Sequence, residues 1–319
     1  MKNQSGSGHD EKLDWEGTDM NVRKRYREIL KGPGLTFAPG AYDALSARIM
    51  EHCGFEVITA GGYAAVASLL GEPDGGQSNY REYADHYGRI CDAVDLPVFC
   101  DADTGFGGVH NIRKMVRAFE RAGVSALFLS DQVFPNRCGY MPGKQIVSAA
   151  EMMTRVYAAL DSRTDPDLVI AARTDARALE GLNAAIERCQ MFQEAGCDMV
   201  LPQGCDDYND AKKTRDALTK HTSYNMSHAA GKAKMTLKQV EELGYTTASF
   251  PSAALFAAVG GVKRAMEALK RDKSFAAVED EICGLDEFYD IVRLKRHNDV
   301  EQEWVERGEA AVAKKKAAE

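Results

Sequence analysis

The segment Cys100-Asp101-Ala102-Asp103-Thr104-Gly105-Phe106-Gly107-Gly108 places two carboxylates two residues apart at the end of a short apolar run. Extended backbone alternates its side chains, so both carboxylates are expected on the same side of the strand. Like charges at that spacing repel unless a cation or protons compensate them, and hard oxygen ligands suit Mg2+ or Mn2+. The glycines that follow let backbone approach a ligand closely. The competing reading is one helix cap and one salt-bridged surface acid.

A second apolar run ends in Ala172-Arg173-Thr174-Asp175-Ala176. The guanidinium fork of Arg173 suits a carboxylate or phosphonate, or else simply pairs with Asp175. Between them lies the long loop Ser130-Asp131-Gln132-Val133-Phe134-Pro135-Asn136-Arg137-Cys138-Gly139-Tyr140-Met141-Pro142-Gly143-Lys144. Such loops serve as lids, and a thiol near Arg137 and Lys144 has the electropositive surroundings that lower a cysteine pKa and suit proton transfer. A structural role is the alternative for Cys138.

These segments need strands to present them. A unit recurs along the chain: an amphipathic helical pattern, a glycine where the helix stops, then a β-rich run. Helices Ala44 to Cys53, Ile112 to Ala122, Leu182 to Ala195 and Leu237 to Leu243 lead through Gly54, Gly123, Gly196 and Gly244 into strands near 55–59, 126–129, 199–201 and 246–250. Further strands are predicted near 35–38, 97–100, 168–172 and 223–226. Eight strands alternating with helices predict an α/β chain, a TIM-type (β/α)8 barrel with its active site at the strand ends. No GxGxxG opens a helix after the first strand, which disfavours a dinucleotide-binding sheet. Residues 1–22 read as a flexible polar arm, and 23–319 as one barrel domain with C-terminal helices from about 275. The apolar face of those helices needs a partner surface, its own barrel or a neighbouring subunit.

The bulk properties narrow the class. A net charge of -8 with basic residues dispersed among acids argues against nucleic acid, and the Lys314 to Lys316 run reads as a solvated end. No run approaches the roughly 20 apolar residues of a membrane span, and no signal-peptide pattern opens the chain. A cytoplasmic location is expected. The eight cysteines form no CxxC pair, so neither a zinc knuckle nor a disulfide framework is indicated.

Taken together, these segments resemble the isocitrate lyase/phosphoenolpyruvate mutase superfamily. Asp101 to Gly105 resembles its metal motif, and Asp131-Gln132 with Arg137-Cys138-Gly139 and Lys144 its lyase-branch catalytic loop. Ala172 to Ala176, Gly40 to Ala47 and Leu70 to Asp74 extend the likeness from about Gly40 to Ala257. The resemblance implies that Asp101 ligates Mg2+ or Mn2+ directly, with Asp74 and Asp103 acting through bound water. It also implies that Gly61, Gly62 and Arg173, with Tyr42 and Asn225, hold a small carboxylic acid, and that Cys138 protonates an enolate. It implies a homo-oligomer, a dimer or tetramer with exchanged C-terminal helices. Cys138 points to a methylisocitrate or dimethylmalate type of carbon–carbon lyase.

Several residues depart from the family pattern. Ser130 and Gln203 stand where acids are usual, Tyr140 replaces a histidine, and Asn225-Met226-Ser227-His228 replaces Asn-Met-x-Glu. His228 is read either as a substitute acid/base group or as a bystander. Three alternatives stay open: hydrolysis or decarboxylation of oxaloacetate, phosphorus–carbon mutase chemistry, and a non-catalytic binding paralogue.

Overall fold

A computed structural model of the chain describes residues 21–137, 139, 143–205, 207–226 and 234–318. These fall into two compact units, 21–281 and 282–318. The first contains eight strands: β1 (Thr36–Pro39), β2 (Ile58–Ala60), β3 (Val98–Asp101), β4 (Ala126–Ser130), β5 (Val169–Thr174), β6 (Met199–Pro202), β7 (His221–Asn225) and β8 (Thr247–Phe250). Every neighbouring pair is parallel, and the order β1-β8-β7-β6-β5-β4-β3-β2 follows the chain around a ring. The ring closes through a parallel bridge between Gly40 and Thr59, reinforced by Ala41 N–H donating to the Thr59 carbonyl at 2.8 Å. This is the predicted barrel.

The four predicted helix-stopping glycines, Gly54, Gly123, Gly196 and Gly244, all adopt positive φ, between 81° and 107°. Only a residue without Cβ takes that conformation cheaply, so the chain turns from helix to strand at these points. The strands then alternate between two layers of apolar packing. Phe99, Ala126, Val169, Ala171 and Met199 pack inside the barrel, while Cys100, Leu127, Ile170 and Val200 face a shell of helical residues that includes Tyr87, Ile112, Phe119 and Phe192.

Helix Val22–Lys31 stoppers one mouth of the barrel. Tyr26 is fully buried against Phe99, with ring centroids 6.5 Å apart. Arg23 donates to the carbonyls of Val124 and Glu120 and to Asp165, and Arg27 to the carbonyls of Asp167 and Leu168 and to Asp198. Those acceptors precede β4, β5 and β6, so the plug occupies the N-terminal end and leaves the C-terminal end for ligands.

The second unit holds two helices, Leu285–Ile291 and Leu294–Ala318, joined at Arg293 with φ 57°. Leu285, Phe288, Trp304 and Val305 are exposed on it. No described helix is long and apolar enough to cross a membrane.

Candidate active site

A cavity of about 320 Å³ opens at the C-terminal strand ends. Asp101, the last residue of β3, accepts the Asp103 N–H on Oδ1 at 2.8 Å and the Gly62 N–H on Oδ2 at 3.3 Å. Gly62 begins helix Gly62–Leu70, so a helix N-terminus faces this carboxylate. A side chain at position 62 would crowd the site: its Cβ would lie 3.0 Å from the Tyr83 hydroxyl, 3.2 Å from Asp103 Oδ1 and 3.4 Å from Asp101 Oδ2. The two carboxylates therefore converge over a glycine.

They do so for a different reason from strand alternation. β3 stops at Asp101, and Asp103 sits in the left-handed region with φ 47°. That conformation is uncommon for a residue with a Cβ and is tolerated where the surroundings enforce it. Here the Asp103 carbonyl accepts Ser130 N–H at 2.7 Å, and its Oδ1 accepts Asn136 Nδ2 at 2.7 Å, tying the turn to the start of the long loop.

Asp74, 6% exposed, lines the same cavity. Burial pushes the Asp101 carboxyl up to about 6, with the Arg173 guanidinium opposing. Burial, then the charges of Asp101 and Asp74, drive Asp103 well above the usual carboxylate range, and burial also raises Asp74. Burial opposes the ionisation of all three carboxyl groups, and a cation among them would favour their carboxylate forms. Among the described residues no three His, Cys, Asp or Glu side chains form a ready ligand set. The oxygen donors that could hold a hard divalent cation in this cavity are those of Asp101, Asp103 and Asp74.

Arg173, near the end of β5, faces the cavity and also grips Asp175, with Nε to Oδ2 at 2.9 Å and Nη2 to Oδ1 at 3.1 Å. The pairing with Asp175 is thus present, in a side chain that also lines the cavity. Asp175 is fully buried and accepts two further donors, Lys144 Nζ at 2.8 Å and Gln132 Nε2 at 3.2 Å. Burial works against ionisation, yet the Arg173 and Lys144 cations hold its carboxyl below the usual range. Lys144 also donates to the carbonyl of Gly139, which lines the cavity, at 2.6 Å. Gly139 lies so close that a Cβ there would collide with the Arg173 guanidinium and touch Gln203 at 3.4 Å.

Among the described residues, those that line the cavity from β6 to β8 are uncharged. Gln203, Ser223, Asn225, Ser249 and Ser252 line it, and Asn225 Nδ2 lies 3.4 Å from Gln203 Oε1. The anticipated Asp74, Asp101, Asp103, Gly61, Gly62, Arg173 and Asn225 are brought together here. Tyr42 is not among the lining residues; its backbone N–H donates to the Ser46 hydroxyl at 3.0 Å. Cys138 and His228, with Tyr140 and Ser227, lie outside the described residues. Asn136 and Ser249 carry no recognisable signal in sequence, whereas Gln132 stood in a quoted motif without a role.

A family model described as phosphoenolpyruvate phosphomutase matches residues 26–270. The chain is 35% identical over 285 residues to 2,3-dimethylmalate lyase of Eubacterium barkeri, covering 89% of this chain and 99% of that protein. It is 33% identical over 278 residues to 2-methylisocitrate lyase of Aeropyrum pernix, covering 84% and 89%. Among solved structures, oxaloacetate acetylhydrolase in complex with the inhibitor 3,3-difluorooxalacetate superposes with a TM-score of 0.84 at 27% identity, covering 89% and 97%.

Proposed function

The chain belongs to the isocitrate lyase/phosphoenolpyruvate mutase superfamily, and from that membership we propose that it is a Mg2+- or Mn2+-dependent carbon–carbon lyase acting on a 2-hydroxy dicarboxylate of the dimethylmalate kind. The observation that carries this reading is one cavity into which Asp101, Asp103 and the Arg173 guanidinium all face. Its volume suits an acid of a few carbons, within the range of small-molecule pockets. Asp101 would hold the ion directly, with Asp74 and Asp103 bound to its waters. Such an ion supplies positive charge that neutralises these carboxylates and stabilises the anionic keto-acid half.

The chain's own residues then divide the remaining work. Arg173, kept in place by Asp175, binds the carboxylate next to the hydroxyl carbon. Cleavage breaks the bond between the second and third carbons: the hydroxyl passes its proton to a base, for which His228 is the candidate, and becomes a keto group, while the bonding electrons pass to the third carbon as an enolate. Cys138 returns a proton to that carbon, while the loop pinned by Lys144 keeps water away. The neutral wall of Gln203, Ser223, Asn225 and Ser249 receives the second carboxylate or its alkyl substituents, which favours a dicarboxylate over a more highly charged acid. A homo-oligomer is part of this reading.

Hydrolysis of oxaloacetate is the second reading, supported by the likeness to oxaloacetate acetylhydrolase. An assay with Mg2+ and a panel of 2,3-dimethylmalate, 2-methylisocitrate and oxaloacetate separates the possibilities. We expect pyruvate from a hydroxy acid of the panel. Oxalate from oxaloacetate alone would replace the lyase with the hydrolase, and oxalate binding without any turnover would leave a binding protein.

A further inference from the structure

Asn136 stands at the junction of three segments that build the cation end of the cavity. Its Nδ2 donates to Asp103 Oδ1 at 2.7 Å. Its backbone N and O each lie 3.3 Å from where a Cβ on Gly76 would be, so the long loop packs directly on the turn that carries Asp74. Gly76 N–H in turn reaches Asp74 Oδ1 at 3.4 Å. Asn136 lines the same cavity as Asp74, Asp101 and Asp103 and is only 7% exposed.

The other end of the amide is what points to a ligand. Asn136 Oδ1 is buried, and no donor among the described residues reaches it. A buried carbonyl oxygen without a partner is uncommon, since its loss of water is uncompensated. As placed, the NH2 end is taken by Asp103, which leaves the carbonyl oxygen to a donor from elsewhere. The unpartnered oxygen belongs to a side chain that lines the cavity together with Asp74, Asp101 and Asp103.

We propose that Asn136 is a member of the cation site, its NH2 fixing Asp103 and its carboxamide oxygen accepting a hydrogen bond from a water in the ion's shell. This rests on the cation reading above and extends it to a residue outside the recognised motif. Being neutral, the amide orders a water without adding charge to three carboxylates that already repel. Outer-shell partners of this kind are worth roughly 10- to 100-fold in metal affinity.

The test is Mn2+ binding to the purified protein without substrate, read by the spin-resonance signal of free Mn2+, for the unmodified chain, Asn136→Leu and Asn136→Ala. Leu keeps the volume and removes both polar ends; Ala guards against a Leu variant that packs badly. We expect the Mn2+ dissociation constant to rise about 10-fold or more in both variants. The metal-free melting temperature should fall by no more than about 2 °C in Asn136→Leu, because removal of the unsatisfied acceptor offsets loss of the bond to Asp103. Mn2+ affinity within about twofold of the unmodified protein would overturn the proposal, as would weaker binding accompanied by an equal loss of metal-free stability. Failure of the unmodified protein to bind Mn2+ would instead overturn the cation reading itself.

Discussion

Asp175 holds Arg173 by two adjacent hydrogens of its guanidinium, at 2.9 and 3.1 Å, from a position with no solvent exposure. The same carboxylate anchors Lys144 and Gln132, so it ties the cavity-lining arginine to both of them. Asp175→Asn keeps the shape but leaves buried cations without their counter-charge, a change that costs about 3–5 kcal/mol. Urea unfolding should report that loss. Titration with oxalate, an enolate mimic, should show affinity falling by about 10-fold or more, and unchanged oxalate binding would mean that Arg173 is positioned by something else.

Metal affinity should depend on pH through Asp101. Its carboxyl in the fold is pushed up to about 6 by burial, above the ordinary carboxylate range. A raised value means that the protonated form stabilises the metal-free fold; that contribution is full below about pH 4 and is lost as pH rises through about 6. A bound cation competes with this proton. Mn2+ affinity should therefore rise with pH across about 6, and calorimetry near pH 5.5 in buffers of different ionisation enthalpy should detect proton release. Asp101→Ala should abolish the binding. A pH-independent affinity would remove Asp101 from the ligand set.

Gly139→Ala places a methyl group against the Arg173 guanidinium. The loop then has to lift or the arginine has to turn, and overpacking of this kind is poorly absorbed. Oxalate affinity should drop by roughly 10-fold while the melting temperature moves by no more than about 2 °C, since the loop contributes little to the core. Equal affinity for oxalate would show that the loop does not close in this register.

Cys138→Ser tests the proton donor once a substrate is in hand. Exchanging thiol for hydroxyl raises the donor's pKa by several units, so kcat and kcat/KM should fall together by about 100- to 10,000-fold with little change in KM. A variant that keeps more than about half the turnover would take Cys138 out of the chemistry.

Association should be visible in solution. In helix Ala253–Asp272, Val259, Val262 and Met266 are exposed at helical spacing, and Leu285, Phe288 and Trp304 are exposed in the C-terminal unit. Apolar surface of this extent is usually covered by a partner. Light scattering at micromolar concentration should give a dimer or tetramer mass; a monomer would refute the exchange of C-terminal helices.

Much of the architecture was legible in sequence because glycine stops and apolar runs obey local rules. Helix Leu182–Ala195 falls where its pattern placed it, while β2 is shorter than its apolar run because pairing with β3 begins only at Ile58, opposite Val98. The site was legible as residue types but not as geometry. Asp101 and Asp103 meet through a left-handed turn at Asp103, which has no periodic signature, rather than through strand alternation. Asn136 was unreadable for a related reason: its importance comes from contacts with Asp103 and Gly76, 33 residues away in the one case and held by a separate loop in the other.

The uneven distribution of charge around the mouth makes this barrel divisible for engineering. Asp101 and Asp103 enter at the end of β3, Arg173 from β5 and Asp74 from the segment after helix Gly62–Leu70, whereas positions 203, 223, 225 and 249, on or just after β6 to β8, contribute only amides and hydroxyls. A combinatorial library restricted to those four positions would vary the length and branching of the acid accepted, with the ionic apparatus left intact as a constant reference.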